Sequence, residues 1–167
     1  MSLREEIELN RPFESRQEEA LLALMWTHQC IIKAGAEFFA QYQLTDTRFN
    51  ALMIIADYQA EGVTQADLAR RLLINRASSG SLVDGMEKMG WIERHSTPGD
   101  RRSYQLVLTD AGSELLAAIK PRYYQLLHQA MGALTAKEVS QLTTGLNRLR
   151  HSFVAALESM SHAHGDR

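Results

Sequence analysis

Apolar residues recur at helical spacing in three long stretches of this chain, residues 18–42, 110–131 and 136–160. In each stretch an apolar side chain returns every three or four residues, which is the period of one face of an α-helix. Pro121 lies inside the second stretch. It predicts a kink or a break there, because proline lacks the amide proton of the helical hydrogen bond. The pattern therefore predicts a mainly α-helical fold.

Three segments share one pattern that marks the start of a helix. Each places a threonine between two apolar residues five apart, which predicts an N-cap threonine with a hydrophobic staple across the first turn. Two of them, TQAD and TAKE, also carry an acid three residues after the threonine, as a capping box requires. The capping residues are Thr45, Thr64 and Thr135, and the staples are Leu44–Phe49, Val63–Leu68 and Leu134–Val139.

The middle of the chain changes from helical to strand periodicity. After a short helix that starts at Thr64, residues 75–90 predict a second helix rich in serine, and Gly90 is a typical C-terminal stop. Residues 104–109 have the period of two that is typical of a strand, because Tyr104, Leu106 and Leu108 alternate with Gln105, Val107 and Thr109. The segment TPGD at 97–100 predicts a type II turn. Residues 91–109 are therefore predicted to form a β-hairpin.

Charge is distributed unevenly, although the formal net charge of the chain is only −2. Residues 1–30 hold three basic and six acidic side chains, a net charge of −3, whereas residues 70–104 hold seven basic and four acidic ones, a net charge of +3. Arg101 and Arg102 stand side by side at the predicted hairpin tip. Because a local positive field attracts polyanions, the middle third is the place to look for a nucleic-acid contact.

Several classes of protein are not supported by the composition. The longest apolar runs are too short to span a bilayer, and the N-terminus is polar and acidic, unlike a signal peptide, so we expect a cytoplasmic protein. Cys30 is the single cysteine, which excludes an intrachain disulfide and a multi-cysteine metal site. We find no nucleophile–base pairing, phosphate-binding glycine loop or cluster of metal ligands, so we predict no enzyme, no catalytic residue, no cofactor and no metal.

The order helix, short helix, serine-rich helix and hairpin is that of a winged helix-turn-helix. In that motif the second helix of the pair enters the major groove, so its outer face must be low enough to approach base edges. Ser78, Ser79 and Ser81 provide hydroxyl groups without bulk, and Asn75 or Arg76 would make sharper base contacts. The alternative is a surface helix that carries neutral polar residues.

The predicted hairpin tip carries a second candidate contact. Arg101 or Arg102 on a protruding turn can enter a minor groove, where narrow A·T-rich stretches deepen the negative potential. Asp100 beside them would hold one guanidinium group in a fixed pose. The alternative is an ordinary polar turn, since surface charge pairs are weak.

The chain resembles the MarR family of bacterial transcriptional regulators over about residues 20–155. The resemblance rests on LT before the second helix, DLA in the third, LVDGMEKMGWIER at the end of the serine-rich helix, and D-x-R followed by LTDAG after the wing. It implies an obligate homodimer with intertwined terminal helices, and repression relieved by a small, often phenolic or aromatic anionic ligand. By position, Asp100 and Arg102 match the family's wing pair, and Ser78 and Ser81 fall in its base-reading segment. Ser81 stands where many members carry arginine, and Gly80 is unusual inside that helix.

Dimerisation is also predicted from the apolar stripes alone. The first and last helices carry more apolar surface than one winged lobe of about 60 residues can cover, and soluble monomers rarely expose such a patch. We predict a helical dimerisation region at 15–43 and 113–160, a winged helix-turn-helix DNA-binding domain at 44–112, and flexible termini at 1–14 and 161–167. Two lobes related by a two-fold axis predict a pseudo-palindromic operator with half-sites about 34 Å apart.

Two sets of site residues follow from these interpretations. An effector pocket is predicted near His28, Lys33, Phe49 and Met53, where a cationic group would bind a carboxylate; the alternative for His28 is a hydrogen-bonded core residue. Cys30 is expected to be an inert buried thiol rather than a redox sensor. The predicted DNA contacts are Thr64, Gln65, Asn75, Arg76, Ser78, Ser79, Ser81, Arg94, Asp100, Arg101 and Arg102.

The favoured function is a sequence-specific, double-stranded DNA-binding regulator, a repressor that acts as a homodimer and is released by a small molecule. A winged-helix module that binds protein and not DNA is the alternative from another class. Salt dependence separates the two, because DNA affinity falls as salt rises.

Overall fold

The computed structural model describes residues 2–97 and 100–165, with side chains placed for all of these except 97, 100–103, 158 and 160–165. The elements, in chain order, are helix α1 (Leu3–Glu6), helix α2 (Arg16–Ala40), helix α3 (Asp46–Asp57), strand β1 (Val63–Thr64), helix α4 (Gln65–Leu72), helix α5 (Arg76–Lys88), strand β2 (Ile92–Thr97), strand β3 (Asp100–Leu108), helix α6 (Asp110–Met131) and helix α7 (Ala136–Gly165). The mainly α fold with a small hairpin wing is confirmed.

The threonine caps form as predicted. Thr45 accepts a hydrogen bond from the Arg48 amide at 3.2 Å, and Thr64 accepts one from the Asp67 amide at 3.1 Å. The Thr135 hydroxyl oxygen accepts a third from the Glu138 amide at 3.3 Å. The two staples of the middle region, Leu44–Phe49 and Val63–Leu68, are buried.

The sheet has one strand more than the predicted hairpin. Strands β2 and β3 pair antiparallel as expected, and β1 pairs antiparallel with the other edge of β3, which gives the order β1-β3-β2. Val63 lies opposite Leu106 and Thr64 opposite Gln105. A strand of two residues leaves no alternation in the sequence, so only the partner strand reveals it.

Two long helices differ from the predictions, α6 at its internal proline and α7 at its C-terminal end. The prediction at Pro121 was a kink or a break, and helix α6 continues through this residue, so the break does not occur. Proline removes one hydrogen bond from the helical ladder, and 22 residues of helix surround that loss. Helix α7 extends to Gly165, beyond the predicted end at 160, and includes residues 161–165 of the predicted flexible tail; residues 166–167 lie outside the described residues.

The core lies mostly between Phe39 and Leu106 and is drawn from α2, α3, α4, α5 and the sheet. Its fully buried side chains include Phe39, Phe49, Leu52, Ile55, Val63, Leu68, Val83, Met86 and Ile92. The chain divides into two compact units, Met1–Ala117 and Ala118–Arg167. This division describes a single chain. The predicted dimerisation region, formed by residues 15–43 and 113–160, involves a second copy of the chain and stays a prediction.

Two helices expose long apolar stripes. Helix α2 exposes Leu21, Met25, Trp26, Ile31 and Ile32. Helix α7 exposes Leu142, Leu146, Leu149, Phe153 and Leu157 at the spacing of three and four that marks one helix face, and it also exposes Val154. Within the described residues, no helix is both long enough and apolar enough to cross a bilayer.

Candidate nucleic-acid interface

Helices α4 and α5 are joined by a tight turn of the kind that a helix-turn-helix requires. Leu73 adopts the left-handed conformation (φ 54°), and the Ile74 amide donates to the Ala69 carbonyl at 3.0 Å, which ends α4. Asn75 then caps α5, because its side-chain oxygen accepts from the Ser78 amide at 2.8 Å. Asn75 is exposed, so its amide group still faces solvent.

Helix α5 has one buried face and one exposed face. Ser79, Val83 and Met86 are buried, whereas Arg76, Ser78 and Ser81 are exposed. The buried face fixes the helix on the lobe, and the N-terminal half of the exposed face carries small hydroxyl groups and one arginine. The outer face is therefore low enough to approach base edges in a major groove.

Ser79 does not belong to that outer face, which corrects the prediction. Its side chain is fully buried, and its hydroxyl donates to the Gln65 carbonyl at 3.1 Å. A buried hydroxyl needs such a partner because its desolvation is otherwise uncompensated. Ser79 therefore ties α5 to the start of α4 and is not available to DNA.

Thr64 and Gln65 stand at the start of α4. The Thr64 hydroxyl donates to Asp67 Oδ2 at 2.7 Å, and this hydrogen bond, followed by the interaction with Arg70, lowers the pKa of the Asp67 carboxyl. Thr64 thus takes part in its capping box, and its role as a DNA contact stays a prediction. Gln65 is half-buried and lies over Gly80: a Cβ atom on Gly80 would be 3.5 Å from Gln65 Nε2.

Arg94 is held by two acids of α5. Its Nη2 lies 2.5 Å from Asp84 Oδ1, and its Nη1 pairs with Glu87. Only 26% of the Arg94 side chain is exposed. Because its charge is already paired within the lobe, we revise the prediction that Arg94 contacts DNA directly.

The backbone of the wing forms an antiparallel hairpin. Pairing of β2 with β3 runs from Ile92–Leu108 to Thr97–Asp100, with an irregularity between Ser96 and Thr97. The predicted turn residues 98–99 lie outside the described residues, as do the side chains of Asp100, Arg101 and Arg102. Their predicted roles as clamp and minor-groove contacts stay predictions.

The start of α6 explains the LTDAG motif after the wing. Thr109 accepts a hydrogen bond from the Gly112 amide at 3.0 Å and donates one to the Gly90 carbonyl at 2.6 Å. A Cβ atom on Gly112 would lie 2.0 Å from the Trp91 carbonyl oxygen. Glycine is therefore required at 112, because the wing and α6 approach each other through backbone.

A cavity of 450 Å³ opens where α4, α5 and the wing meet. It brings together four of the predicted site residues, Thr64, Gln65, Arg76 and Arg94, and its wall is completed by Ala66, Ala69, Tyr104 and Leu106. Tyr104 is half exposed and was not among the predicted contacts. The signal that points to it is an aromatic residue at the exposed end of an otherwise apolar strand face.

The four predicted effector residues differ in how far they are exposed to solvent. His28 and Lys33 on α2 are exposed, Met53 is half-buried, and Phe49 is buried with its ring 4.9 Å from that of Phe39. Phe49 is part of the core, so its predicted place in a pocket wall is corrected. His28 is not the core histidine considered as its alternative, and Cys30 is exposed rather than buried.

Among the described residues, no group of three or more histidine, cysteine or acidic side chains is placed to hold a metal ion.

A capped recognition helix on a short preceding helix, followed by a two-stranded wing, defines a winged helix-turn-helix protein. Residues 42–103 match the model of the MarR family. The transcriptional repressor MprA of Escherichia coli is 33% identical over 99 residues, which cover 59% of this chain and 56% of MprA. An uncharacterised HTH-type transcriptional regulator of Bacillus subtilis, YdcH, is 32% identical over 115 residues, or 67% of this chain and 77% of YdcH. The chain belongs to the MarR family, as its sequence motifs indicated.

Solved structures agree with this fold. MepR of Staphylococcus aureus in complex with DNA has a TM-score of 0.73 at 21% identity, and covers 81% of this chain and 97% of its own. AbsC of Streptomyces coelicolor, a MarR-family transcriptional regulator, has a TM-score of 0.79 at 16% identity, with 87% and 99% covered. The chain spans little more than half the length of MprA.

Proposed function

We propose that the chain is a sequence-specific, double-stranded DNA-binding transcriptional regulator, without enzymatic activity, that represses as a homodimer. The observation that carries this proposal is the outer face of α5, where Arg76, Ser78 and Ser81 are exposed while the opposite face is buried. The relatives support it: MprA is a transcriptional repressor, and MepR has been solved with DNA bound. Because its ligand is chromosomal DNA, we place the protein in the cytoplasm.

The contacts divide into two kinds. Ser78, Ser81 and Asn75 are suited to base edges in the major groove, whereas Arg76 is suited to a phosphate or a guanine. The wing arginines, Arg101 and Arg102, are proposed to reach the neighbouring minor groove, with Asp100 as their clamp. This division assigns sequence preference to α5 and most of the salt-dependent affinity to the arginines.

Homodimerisation is supported by the exposed apolar stripes of α2 and α7. An exposed stripe of five large apolar side chains on α7 is unusual for a monomer. A two-fold axis brings identical stripes together and presents two copies of α5 to one face of a duplex. The operator should then be pseudo-palindromic, with half-sites about 34 Å apart.

Release by a small anionic effector is proposed from His28 and Lys33, two exposed groups of α2 that can be cationic, and from Met53, which is half-buried. A ligand releases DNA only if it binds more tightly to a conformation of the dimer in which the distance between the two winged lobes does not suit the duplex. Effector binding would therefore favour a dimer whose two α5 helices no longer fit successive major grooves.

Selection of duplexes from a random pool, followed by titration of the selected duplex at several salt concentrations, tests this proposal. Arg76→Ala and Arg102→Ala should each weaken binding about tenfold or more and lower the slope of log affinity against log salt by about 1. Lys137→Ala, an exposed charge in the first turn of α7, is the matched control and should change little. Affinity that does not fall with salt and is unchanged in Arg102→Ala would contradict DNA binding and favour the protein-binding alternative.

A further inference from the structure

The outer face of the recognition helix carries an acid. Asp84 follows Ser81 by three residues, and side chains at this spacing lie on the same face of a helix. The Asp84 side chain is 69% exposed. A carboxylate on the surface presented to DNA repels phosphate, and like charges across an interface weaken association.

Arg94 neutralises this acid from the wing. It lies within β2, where it stands opposite Leu106, so the hairpin backbone holds it in place. One guanidinium nitrogen pairs with Asp84 and the other with Glu87, one helical turn further along α5. The three side chains together carry a net charge of −1, whereas the two acids alone would carry −2.

Burial favours this arrangement over a loose surface pair. The Arg94 side chain is 26% exposed and that of Glu87 39%, so water screens their interaction less than it screens an exposed pair. Arginine suits two acids at once because its planar fork presents donors in a fixed geometry. The same contacts join β2 to the C-terminal half of α5.

We propose that Arg94 is a positioning residue for DNA recognition: without touching DNA, it compensates Asp84 and Glu87 so that α5 approaches the duplex without repulsion. The inference rests on the proposed function and adds to it. Arg94 acts through the two acids, so removing the acids should make it dispensable. That consequence separates this role from a direct phosphate contact.

The experiment compares Arg94→Gln, the acid-neutralising pair Asp84→Asn with Glu87→Gln, and the triple variant. Each is titrated, as the full chain, against a duplex that the wild-type chain selects from a random pool. Arg94→Gln should weaken binding about tenfold. The acid-neutralising pair should bind at least as tightly as wild type, and the triple variant should return to within about threefold of wild type.

Two further variants serve as controls. Arg94→Lys keeps the charge and should retain most of the affinity, and thermal unfolding checks that all variants are folded. Arg11→Gln removes an ion-paired arginine from the N-terminal segment, where its partner is Glu18 at 2.5 Å, and should leave DNA binding unchanged.

Three results would overturn the inference. A triple variant as weak as Arg94→Gln, with a salt slope lower by about 1, would mean that Arg94 contacts phosphate itself. Weaker binding by the acid-neutralising pair alone would mean that Asp84 or Glu87 contributes directly. If the wild-type chain selects no duplex, the proposed function fails and this inference fails with it. If the wild-type chain binds normally but the triple variant does not regain affinity, only this inference fails.

Discussion

Large apolar side chains are buried in the core of the winged lobe and are exposed along helix α7. In the lobe, Leu52, Ile55 and Leu68 are completely buried. In α7, Leu146, Leu149 and Phe153 are 37%, 39% and 50% exposed. Both regions carry a regular apolar pattern, so the pattern indicates a face to be covered and does not reveal what covers it. The lobe covers its own apolar face, whereas the apolar face of α7 is exposed in the single chain.

The difference follows from the local architecture. In the lobe, helices α3, α4 and α5 and the three-stranded sheet supply most of the buried apolar side chains, and Ser79 and Thr109 satisfy backbone carbonyls at the junctions. Helix α7 is 30 residues long and carries its exposed apolar residues in a single stripe. Such a stripe is typical of helices that associate with another chain.

The largest expected effect is the loss of the dimer in Leu149→Glu. Two-fold symmetry would place the new charge in the interface twice, at about 2 kcal/mol each, so dimerisation should weaken by about 4 kcal/mol. Sedimentation equilibrium measures the change directly. Thr144→Glu, on the opposite face of α7, is the control and should remain dimeric. An unchanged dimer in Leu149→Glu would mean that the α7 stripe is covered in some other way.

The second-largest expected effect is a loss of stability of the winged lobe. Gly112→Ala would place a Cβ atom 2.0 Å from the Trp91 carbonyl oxygen, and backbone on both sides has to shift. We expect a loss of about 3 kcal/mol in the free energy of unfolding, as for a strongly overpacked site.

Urea unfolding measures this loss, and Gly80→Ala is the matched control within the same lobe. A Cβ atom there meets only Gln65 Nε2 at 3.5 Å, so alanine should be neutral or should stabilise α5 by up to about 1 kcal/mol. Equal stabilities of the two alanine variants would contradict the close approach at Gly112.

Local signals in the sequence were sufficient for much of this architecture. The caps at Thr45 and Thr64, the stop at Gly90 and the hairpin depend on neighbouring residues, and each was predicted. Contacts between distant residues were not. Strand β1 exists only because β3 lies beside it, and the ion pairs of Arg94 join residues seven and ten positions apart on different elements.

The candidate site shows the same limit at the level of single residues. Ser78 and Ser79 have identical side chains, and consecutive residues in a helix point about 100° apart. Composition therefore could not separate the exposed serine from the buried one. Burial of Val83 and Met86 orients the helix and assigns Ser79 to the core.

A smaller effect tests this assignment. Ser79→Ala leaves the Gln65 carbonyl without its buried donor, which should cost about 1–2 kcal/mol in the free energy of unfolding. Ser78→Ala should change stability little, because its side chain is exposed, and should instead weaken DNA binding. Urea unfolding and duplex titration of both variants give the two readouts. The reverse pattern would place Ser79 on the DNA side.

The smallest expected effect is the loss of stability when a capping box is removed. Two boxes of the same design can be compared, Thr64–Asp67 in the lobe and Thr135–Glu138 at the start of α7. The threonine side-chain hydrogen bond is the main cause that lowers the carboxyl pKa in both. A lowered folded pKa means that the stabilisation is present above the ordinary value of about 4 and is lost as pH falls through the folded value.

The two boxes should nevertheless differ in what their loss does. Asp67→Asn should lower the stability of the whole lobe by about 0.5–1 kcal/mol at pH 7, and should flatten the decline in stability below about pH 4. Glu138→Gln removes a cap from an exposed helix start, so it should increase hydrogen exchange only in the first turn of α7. Global unfolding of the lobe and residue-level hydrogen exchange distinguish the two. If Glu138→Gln lowered the stability of the lobe as much as Asp67→Asn does, the start of α7 would not be the local, exposed element that its side chains indicate.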